Sequence, residues 1–188
     1  IASVDQFIVY DNIKYTKKGW INRNRWLQNG TGATFTLPLV KDSDFLNIDQ
    51  RSVSADFEID TFLSQLRGNY SKAPFFATTY ALVEQVLPGE NRNLFAVLLH
   101  SLHTLCRHLD ISTEINVSSA LDADHTLKGQ DRVLDLCLTK QGTTYINSIG
   151  GAELYSAHDF AGAGLNLRFL RSQPLAYKQF GAPFVPWL

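Results

Sequence analysis

The polar segment at residues 10–26 (YDNIKYTKKGWINRNRW) combines groups that bind anions with groups that hold sugars or bases. Lysine attracts phosphate as a point charge, and arginine binds oxyanions through two parallel hydrogen bonds. Asp11 follows an apolar stretch and is the candidate general base. The segment predicts a site for a phosphorylated or nucleotide-activated substrate. The residues predicted to bind that substrate are Lys17, Lys18, Trp20, Asn22, Arg23, Asn24 and Arg25.

A basic surface hairpin whose tryptophans pack on the core is the alternative interpretation of this segment. Five cations and no acid lie between Lys14 and Arg25, whereas the rest of the chain holds more acids than bases. In an extended strand, the asparagines and tryptophans at positions 20, 22, 24 and 26 lie on one face. A face buried in the core would carry apolar residues only. Both observations favour a binding site.

A second candidate site lies at residues 145–155 (YINSIGGAELY). A strand that ends in a Gly-Gly turn and leads into a helix places backbone N–H groups at the sheet edge, where anions bind. No complete phosphate-binding glycine pattern is present, so a tight turn is the alternative. Glu153 also suits a helix start for dipole reasons alone. The candidate binding residues here are Tyr145, Asn147, Gly150, Gly151 and Glu153. Arg132, next to the start of another helix, is a further candidate as an anion clamp. The alternative is that Asp131 caps this helix and Arg132 is a surface charge.

The elements that must position these residues predict an α/β fold. A strand at 6–10 precedes a hairpin at 19–39, and apolar periodicity predicts helices at 56–67, 73–87 and 93–109. Residues 114–170 follow as β-α-β-α-β, with helices at 131–140 and 152–163. This order favours a mostly parallel sheet with helix crossovers, an N-terminal β-hairpin and a helical insertion at about 56–109. We expect residues 1–188 to form a single domain.

Composition limits the function classes. The net charge of −1 argues against a nucleic-acid binder. Cys106 and Cys137 lack the close pairing of a zinc site, and His100 and His103 lack a third ligand on their helix face, so no metal site is predicted. Reduced thiols and short apolar runs predict a cytoplasmic protein without membrane insertion. The absence of Met predicts an incomplete chain, and the apolar start at Ile1 and the end at Leu188 without a polar tail predict truncation at both ends. The residues identify no cofactor.

Two segments together resemble the WbqC-like family of bacterial proteins. The more specific one is D-x-x-x-Y-x-K-x-G-W-x-N-R-N, which runs here from Asp11 to Asn24. Residues 145–147 with Gly150-Gly151 and residues 154–155 support the resemblance, as do residues 131–132. The resemblance implies association with bacterial surface-polysaccharide (O-antigen) gene clusters and a suggested glycine or aminoacyl transferase role. It carries over no catalytic residue, and it implies a further segment before residue 1.

The sequence therefore supports two hypotheses of different classes. In the first, the protein is a transferase of surface-polysaccharide biosynthesis that uses an anionic small-molecule substrate: a nucleotide-sugar, aminoacyl or acyl donor. In the second, it is a non-catalytic binding or assembly factor whose basic hairpin docks to a protein partner in the glycan pathway. Arginine and tryptophan suit either role, since both residues also carry much of the energy of protein interfaces.

Overall fold

The computed structural model describes residues 1–173, 175–180, 183–186 and 188. Within this part of the chain, six β-strands and five α-helices form a mixed α/β fold, as predicted. They divide into two compact units. The α/β unit contains Ile1–Tyr10 and Thr113–Leu175, and the hairpin unit contains Asp11–Ser112 and Ala176–Leu188.

The α/β unit is built on two parallel strand pairs. Strand β1 (Gln6–Val9) pairs with β4 (Glu114–Val117), and β5 (Thr144–Ser148) pairs with β6 (Asn166–Leu170). Helix α4 (Gly129–Thr139) precedes β5, and α5 (Ala157–Gly162) connects β5 to β6. The parallel pairing and the β-α-β-α-β order agree with the sequence, whereas the strands form separate two-stranded ladders.

Aromatic packing holds the core of the α/β unit together. Phe160 of α5 is fully buried, and its ring stacks on Tyr145 with centroids 5.5 Å apart. Tyr155 meets Phe160 edge to face at 5.9 Å, and Val133 and Leu165 complete the buried cluster. The tyrosine of the predicted second site therefore contributes to this core.

Two helix starts in the α/β unit differ from the sequence expectation. Gly150 and Gly151 lie in a 3-10 helix (Ile149–Leu154), and α5 begins only at Ala157. The helix begins there because the Ser156 side chain accepts a hydrogen bond from the Asp159 backbone N–H, whereas glycines disfavour helix formation. Helix α4 begins at Gly129, so Asp131 lies in its first turn and is not the cap.

The hairpin unit begins with the predicted antiparallel hairpin of β2 (Arg23–Gln28) and β3 (Thr31–Thr36). Asn29 and Gly30 have φ values of 51° and 77°, as a two-residue type I′ turn requires. The first strand is shorter than predicted, because residues 20–22 form a turn in which the Arg23 N–H reaches the Trp20 carbonyl at 3.5 Å.

Three helices follow the hairpin close to their predicted positions: α1 (Ile59–Tyr70), α2 (Phe76–Val86) and α3 (Leu94–His108). Trp26 is 6% exposed and packs between Phe35 of β3 and Phe62 of α1, with centroids 5.2 and 5.3 Å away. Trp20, by contrast, is 61% exposed. The interpretation that the tryptophans pack on the core therefore holds for one of these two residues and fails for the other.

Candidate anion-binding site

A pocket of about 440 Å³ lies in the hairpin unit, between the loop before β2 and the segments that follow β3. We call it the Arg51 pocket. Four cationic side chains line it, together with one carboxylate, Asp42. The cationic residues are Lys17, Arg23, Lys41 and Arg51. A concave surface with this excess of positive charge suits an anionic ligand.

Arg51 is the most buried charge of the pocket, with only 5% of its surface exposed. Its Nη1 donates to the Ser43 carbonyl oxygen at 3.1 Å, and its Nη2 donates to the Val40 carbonyl oxygen at 3.4 Å. The buried Nε–H finds no acceptor among the described residues. A buried guanidinium in this state has donor capacity left for a ligand, and leaving it unsatisfied is unfavourable.

Tyr15 and Asn22 form a hydrogen-bonded pair, and the Tyr15 ring packs against the Arg51 guanidinium. The Tyr15 ring packs 4.9 Å from the guanidinium carbon, and the Tyr15 hydroxyl donates to Asn22 Oδ1 at 2.8 Å. Asn22 Nδ2 in turn donates to the Leu37 carbonyl oxygen at 2.7 Å. Tyr15 and Asn22 are both buried, so this chain of contacts fixes the ring on which Arg51 lies.

Lys17 has an acidic partner from outside the basic segment. Its ammonium group pairs with the Asp44 carboxylate at 2.5 Å, and both side chains are exposed. The hydrogen bond and charge of Lys17 lower the pKa of Asp44 below its ordinary value. The sequence holds no acid between Lys14 and Arg25, but the fold supplies one from 27 residues after Lys17.

A second pocket of about 530 Å³ adjoins the first, and we call it the Trp20 pocket. Its lining residues all belong to the predicted site: Trp20, Arg23, Asn24 and Arg25. Arg23 lines both pockets, and its guanidinium carbon lies 5.3 Å from the centre of the Trp20 ring. The structure thus brings six of the predicted residues of this segment into adjoining concave surfaces. They are Lys17, Trp20, Asn22, Arg23, Asn24 and Arg25.

Arg25 also has a structural role. Its Nη1 donates to the Pro186 carbonyl oxygen at 3.2 Å, which ties the C-terminal segment to the hairpin. Its guanidinium lies against Gly32 of β3, at a position that a Cβ atom would occupy. Part of the donor capacity predicted for a ligand is therefore used within the fold.

Two predicted residues of the segment lie outside both pockets. Lys18 is exposed and lines neither pocket. Asp11 is 4% exposed, and its carbonyl oxygen accepts a hydrogen bond from the Asp49 N–H at 3.2 Å. Burial and the nearby Asp11 charge raise the pKa of Asp49 above its ordinary value. The role of Asp11 as general base stays a prediction.

The remaining predicted residues belong to the α/β unit. Arg132 is buried, not a surface charge; its Nη2 donates to Ser118 Oγ at 2.8 Å, and its guanidinium lies over the Tyr10 ring at 4.8 Å. The Tyr145 hydroxyl donates to the Tyr155 hydroxyl at 3.2 Å, and burial is the main cause that raises the pKa of Tyr145.

Asn147 and Gly151 lie in contact in the same unit. A Cβ atom on Gly151 would come within 3.1 Å of Asn147 Nδ2, whereas one on Gly150 would meet nothing within 4 Å. Glu153 is exposed in the 3-10 helix that contains both glycines. The predicted helix N-terminus at residue 152 is therefore absent, and Gly151 is explained by its close approach to the Asn147 side chain.

The residues of the Arg51 pocket that sequence reasoning missed include Arg51, Lys41 and Tyr15. Arg51 and Lys41 lie outside residues 10–26, and Tyr15 lies within that segment but is neither a lysine nor an arginine. Arg51 follows a single 3-10 turn (Ile48–Gln50) in an irregular stretch, so no periodicity marks it as buried. Arg92 lies in a similar irregular stretch of the sequence, but it does not line the pocket. Its Nη1 donates instead to the Ser54 carbonyl oxygen at 2.8 Å.

The fold and the pocket define a mixed α/β protein with a cationic cleft. Its described residues hold no group of three or more His, Cys, Asp or Glu side chains that could bind a metal ion. Throughout those residues, no helix combines the length and the apolar character needed to cross a bilayer. The chain belongs to the WbqC-like protein family, whose model matches residues 1–188.

Comparison with known proteins adds one relative. The chain is 29% identical over 149 residues to the uncharacterized protein Rv1507c of Mycobacterium tuberculosis (strain ATCC 25618 / H37Rv), with 78% of this chain matched. It spans 64% of that protein's length. No solved structure matches the chain. These comparisons establish the family, and they identify no reaction.

Proposed function

We propose that this protein is a transferase of bacterial surface-polysaccharide (O-antigen) biosynthesis that holds the anionic group of an activated donor in the Arg51 pocket. The observation that carries the proposal is the buried Arg51 guanidinium, whose Nε–H has no acceptor among the described residues. An anion in the pocket offsets the charge of a guanidinium that is otherwise unfavourable to bury. Membership in the WbqC-like family supports the assignment to a polysaccharide pathway.

Each side chain of the pocket has a distinct part in this proposal. Arg51 binds an oxygen of the donor's phosphate or carboxylate group, and its contacts with two backbone carbonyls fix its plane. Arg23 and Lys41 add positive charge, which stabilises the negative charge that develops on the leaving group as the bond to the transferred group breaks. Tyr15 and Asn22 are positioning residues, because they act through Arg51.

The transferred group in the proposal is glycine, another aminoacyl group or a further activated acyl or glycosyl group. Asp11 remains the proposed general base for the acceptor. The donors of such reactions are made in the cytoplasm, which is where we place the protein. The binding roles of the candidate residues in the α/β unit, including Asn147 and Gly151, stay predictions.

Binding of inorganic pyrophosphate to the full-length protein, measured by isothermal titration calorimetry, tests the pocket. Arg23→Gln is expected to weaken binding about tenfold, equivalent to about 1.4 kcal/mol, because one charge-assisted hydrogen bond is lost. Arg51→Lys keeps the charge but loses the planar fork, so it is also expected to weaken binding. The matched control is Arg107→Gln at the end of α3, which removes the same charge outside the pocket lining.

Activity is tested by incubating the protein with aminoacyl, acyl and nucleotide-sugar donors and following release of the anionic leaving group. Equal pyrophosphate affinity in Arg23→Gln, Arg51→Lys and Arg107→Gln would contradict the proposal. If no anion binds and a glycan-pathway protein co-purifies, the assembly-factor hypothesis replaces it. In that case, Trp20→Ala should release the partner, since the exposed indole would then lie in the interface.

A further inference from the structure

Trp20 presents an indole ring to solvent beside the proposed anion pocket. The side chain is 61% exposed, and it lies in the turn before β2, where the strand alternation predicted from the sequence does not apply. The Arg23 guanidinium lies over the ring at 5.3 Å, an arrangement that restrains its orientation. An exposed, oriented indole is a stacking surface for a flat ring.

Arg23 connects this stacking surface to the anion pocket. It is the residue that the linings of the Trp20 pocket and the Arg51 pocket share. A ligand bound in both pockets therefore has its ring against Trp20, an anionic group near Arg23 and a further anionic group at Arg51. This order of parts requires a ring joined to at least one, and preferably two, anionic groups.

The lining of the Trp20 pocket favours a ring that accepts hydrogen bonds. Arg23 and Arg25 only donate, and the Asn24 Oδ1 already accepts from the Arg25 backbone N–H at 2.8 Å. Among the residues that the structure describes, the polar side chains that line this pocket include no carboxylate. A sugar ring carries several hydroxyl donors that need acceptors, whereas a base with carbonyl groups offers acceptors and a flat face together.

We infer that the Trp20 pocket is a base subsite and that the donor is a nucleoside diphosphate derivative, with its diphosphate at Arg23 and Arg51. The inference rests on the proposed function, because it assigns the class of ligand that the same site binds. Of the three donor classes named above, which are nucleotide-sugar, aminoacyl and acyl donors, the inference selects the nucleotide-linked one. Uracil carries two carbonyl acceptors, so uridine diphosphate is the probe.

The test compares uridine diphosphate, pyrophosphate and glucose 1-phosphate by calorimetry on the full-length protein. Uridine diphosphate is expected to bind at least tenfold more tightly than pyrophosphate, and Trp20→Ala is expected to abolish that advantage. The same substitution should weaken pyrophosphate binding less than it weakens uridine diphosphate binding. Phe75→Ala, which removes an aromatic ring that is 78% exposed at the start of α2, is the control and should leave all three affinities unchanged.

Two results would overturn the inference and leave the proposed function intact, provided that pyrophosphate binding still depends on Arg51. One is uridine diphosphate binding that is no tighter than pyrophosphate binding, or that Trp20→Ala leaves unchanged. The other is a loss of glucose 1-phosphate binding in Trp20→Ala without a loss of uridine diphosphate binding, which would assign a sugar subsite. If neither pyrophosphate nor uridine diphosphate binds, the proposed function fails, and the inference fails with it.

Discussion

Replacing Tyr15 with phenylalanine removes one hydroxyl group and keeps the ring on which Arg51 packs. In the native protein that hydroxyl donates to Asn22 Oδ1 at 2.8 Å, and both side chains are 8% exposed. The variant therefore leaves a buried acceptor without its donor. Desolvating such a group costs about 1–3 kcal/mol, and the phenyl ring regains little of it, so we expect the free energy of unfolding to fall by about 1–2 kcal/mol.

A double-mutant cycle isolates this hydrogen bond. Asn22→Ala should lower stability by about 2–4 kcal/mol, because it also removes the bond from Nδ2 to the Leu37 carbonyl oxygen. The double variant should be less destabilised than the sum of the two single variants, by about 1 kcal/mol. Urea unfolding followed by tryptophan fluorescence measures these changes, since Trp26 is buried in the same unit.

Tyr177→Phe is the matched control, because it removes a hydroxyl group from a side chain that is 59% exposed. Its stability should stay within about 0.5 kcal/mol of the native protein. A loss below 0.5 kcal/mol in Tyr15→Phe, or strictly additive effects in the cycle, would refute the argument that this pair is a buried and coupled support. We also expect Tyr15→Phe to weaken pyrophosphate binding, because the ring that packs on Arg51 loses the hydrogen bond that holds it in position.

Three further predictions follow from pKa values and close contacts. The pKa of Asp49 is raised in the folded protein, so above pH 3.8 folded Asp49 binds more protons than unfolded Asp49. The free energy of unfolding therefore falls as the pH rises through that range. Asp49→Asn should raise the urea midpoint at pH 7 but not at pH 3. A Cβ atom on Gly151 would lie 3.1 Å from Asn147 Nδ2, so Gly151→Ala should lower the free energy of unfolding by about 1 kcal/mol in urea, whereas Gly150→Ala, with open space, should stay within about 0.5 kcal/mol. Burial raises the pKa of the Cys137 thiol to about 11, so iodoacetamide at pH 8 should label it slowly in the folded protein and rapidly in urea, as followed by mass spectrometry.

The regular elements were predictable because local patterns specify them. The Asn29-Gly30 pair predicts the hairpin turn, since both residues accept positive φ values at little cost. The helix starting at Leu94 was expected from its apolar period, and in the structure the Asn93 side chain caps it by accepting from the Ala96 N–H at 3.0 Å. The single-domain organisation of residues 1–188 stays a prediction.

The errors occurred where a residue's role depends on contacts distant in sequence. Residues 20–22 have β-like composition, yet they turn because Asn22 bonds Tyr15 and the Leu37 backbone. The Gly-Gly pair resembles a strand-to-helix turn, but its second glycine packs on Asn147 and the helix starts later, at a serine cap. Arg132 was explained as a surface charge, and the fold buries it over the Tyr10 ring.

The sequence by itself determined the α/β class, the hairpin, the family and the concentration of cations between Lys14 and Arg25, because composition, period and motif spacing are local properties of the chain. Only the tertiary structure decided which cations form a pocket. It added Arg51 from a distant loop, paired Lys17 with Asp44, and used part of Arg25 to hold the C-terminal segment. The physical reason is that burial and unsatisfied hydrogen-bonding capacity arise from packing between segments, which no local pattern encodes.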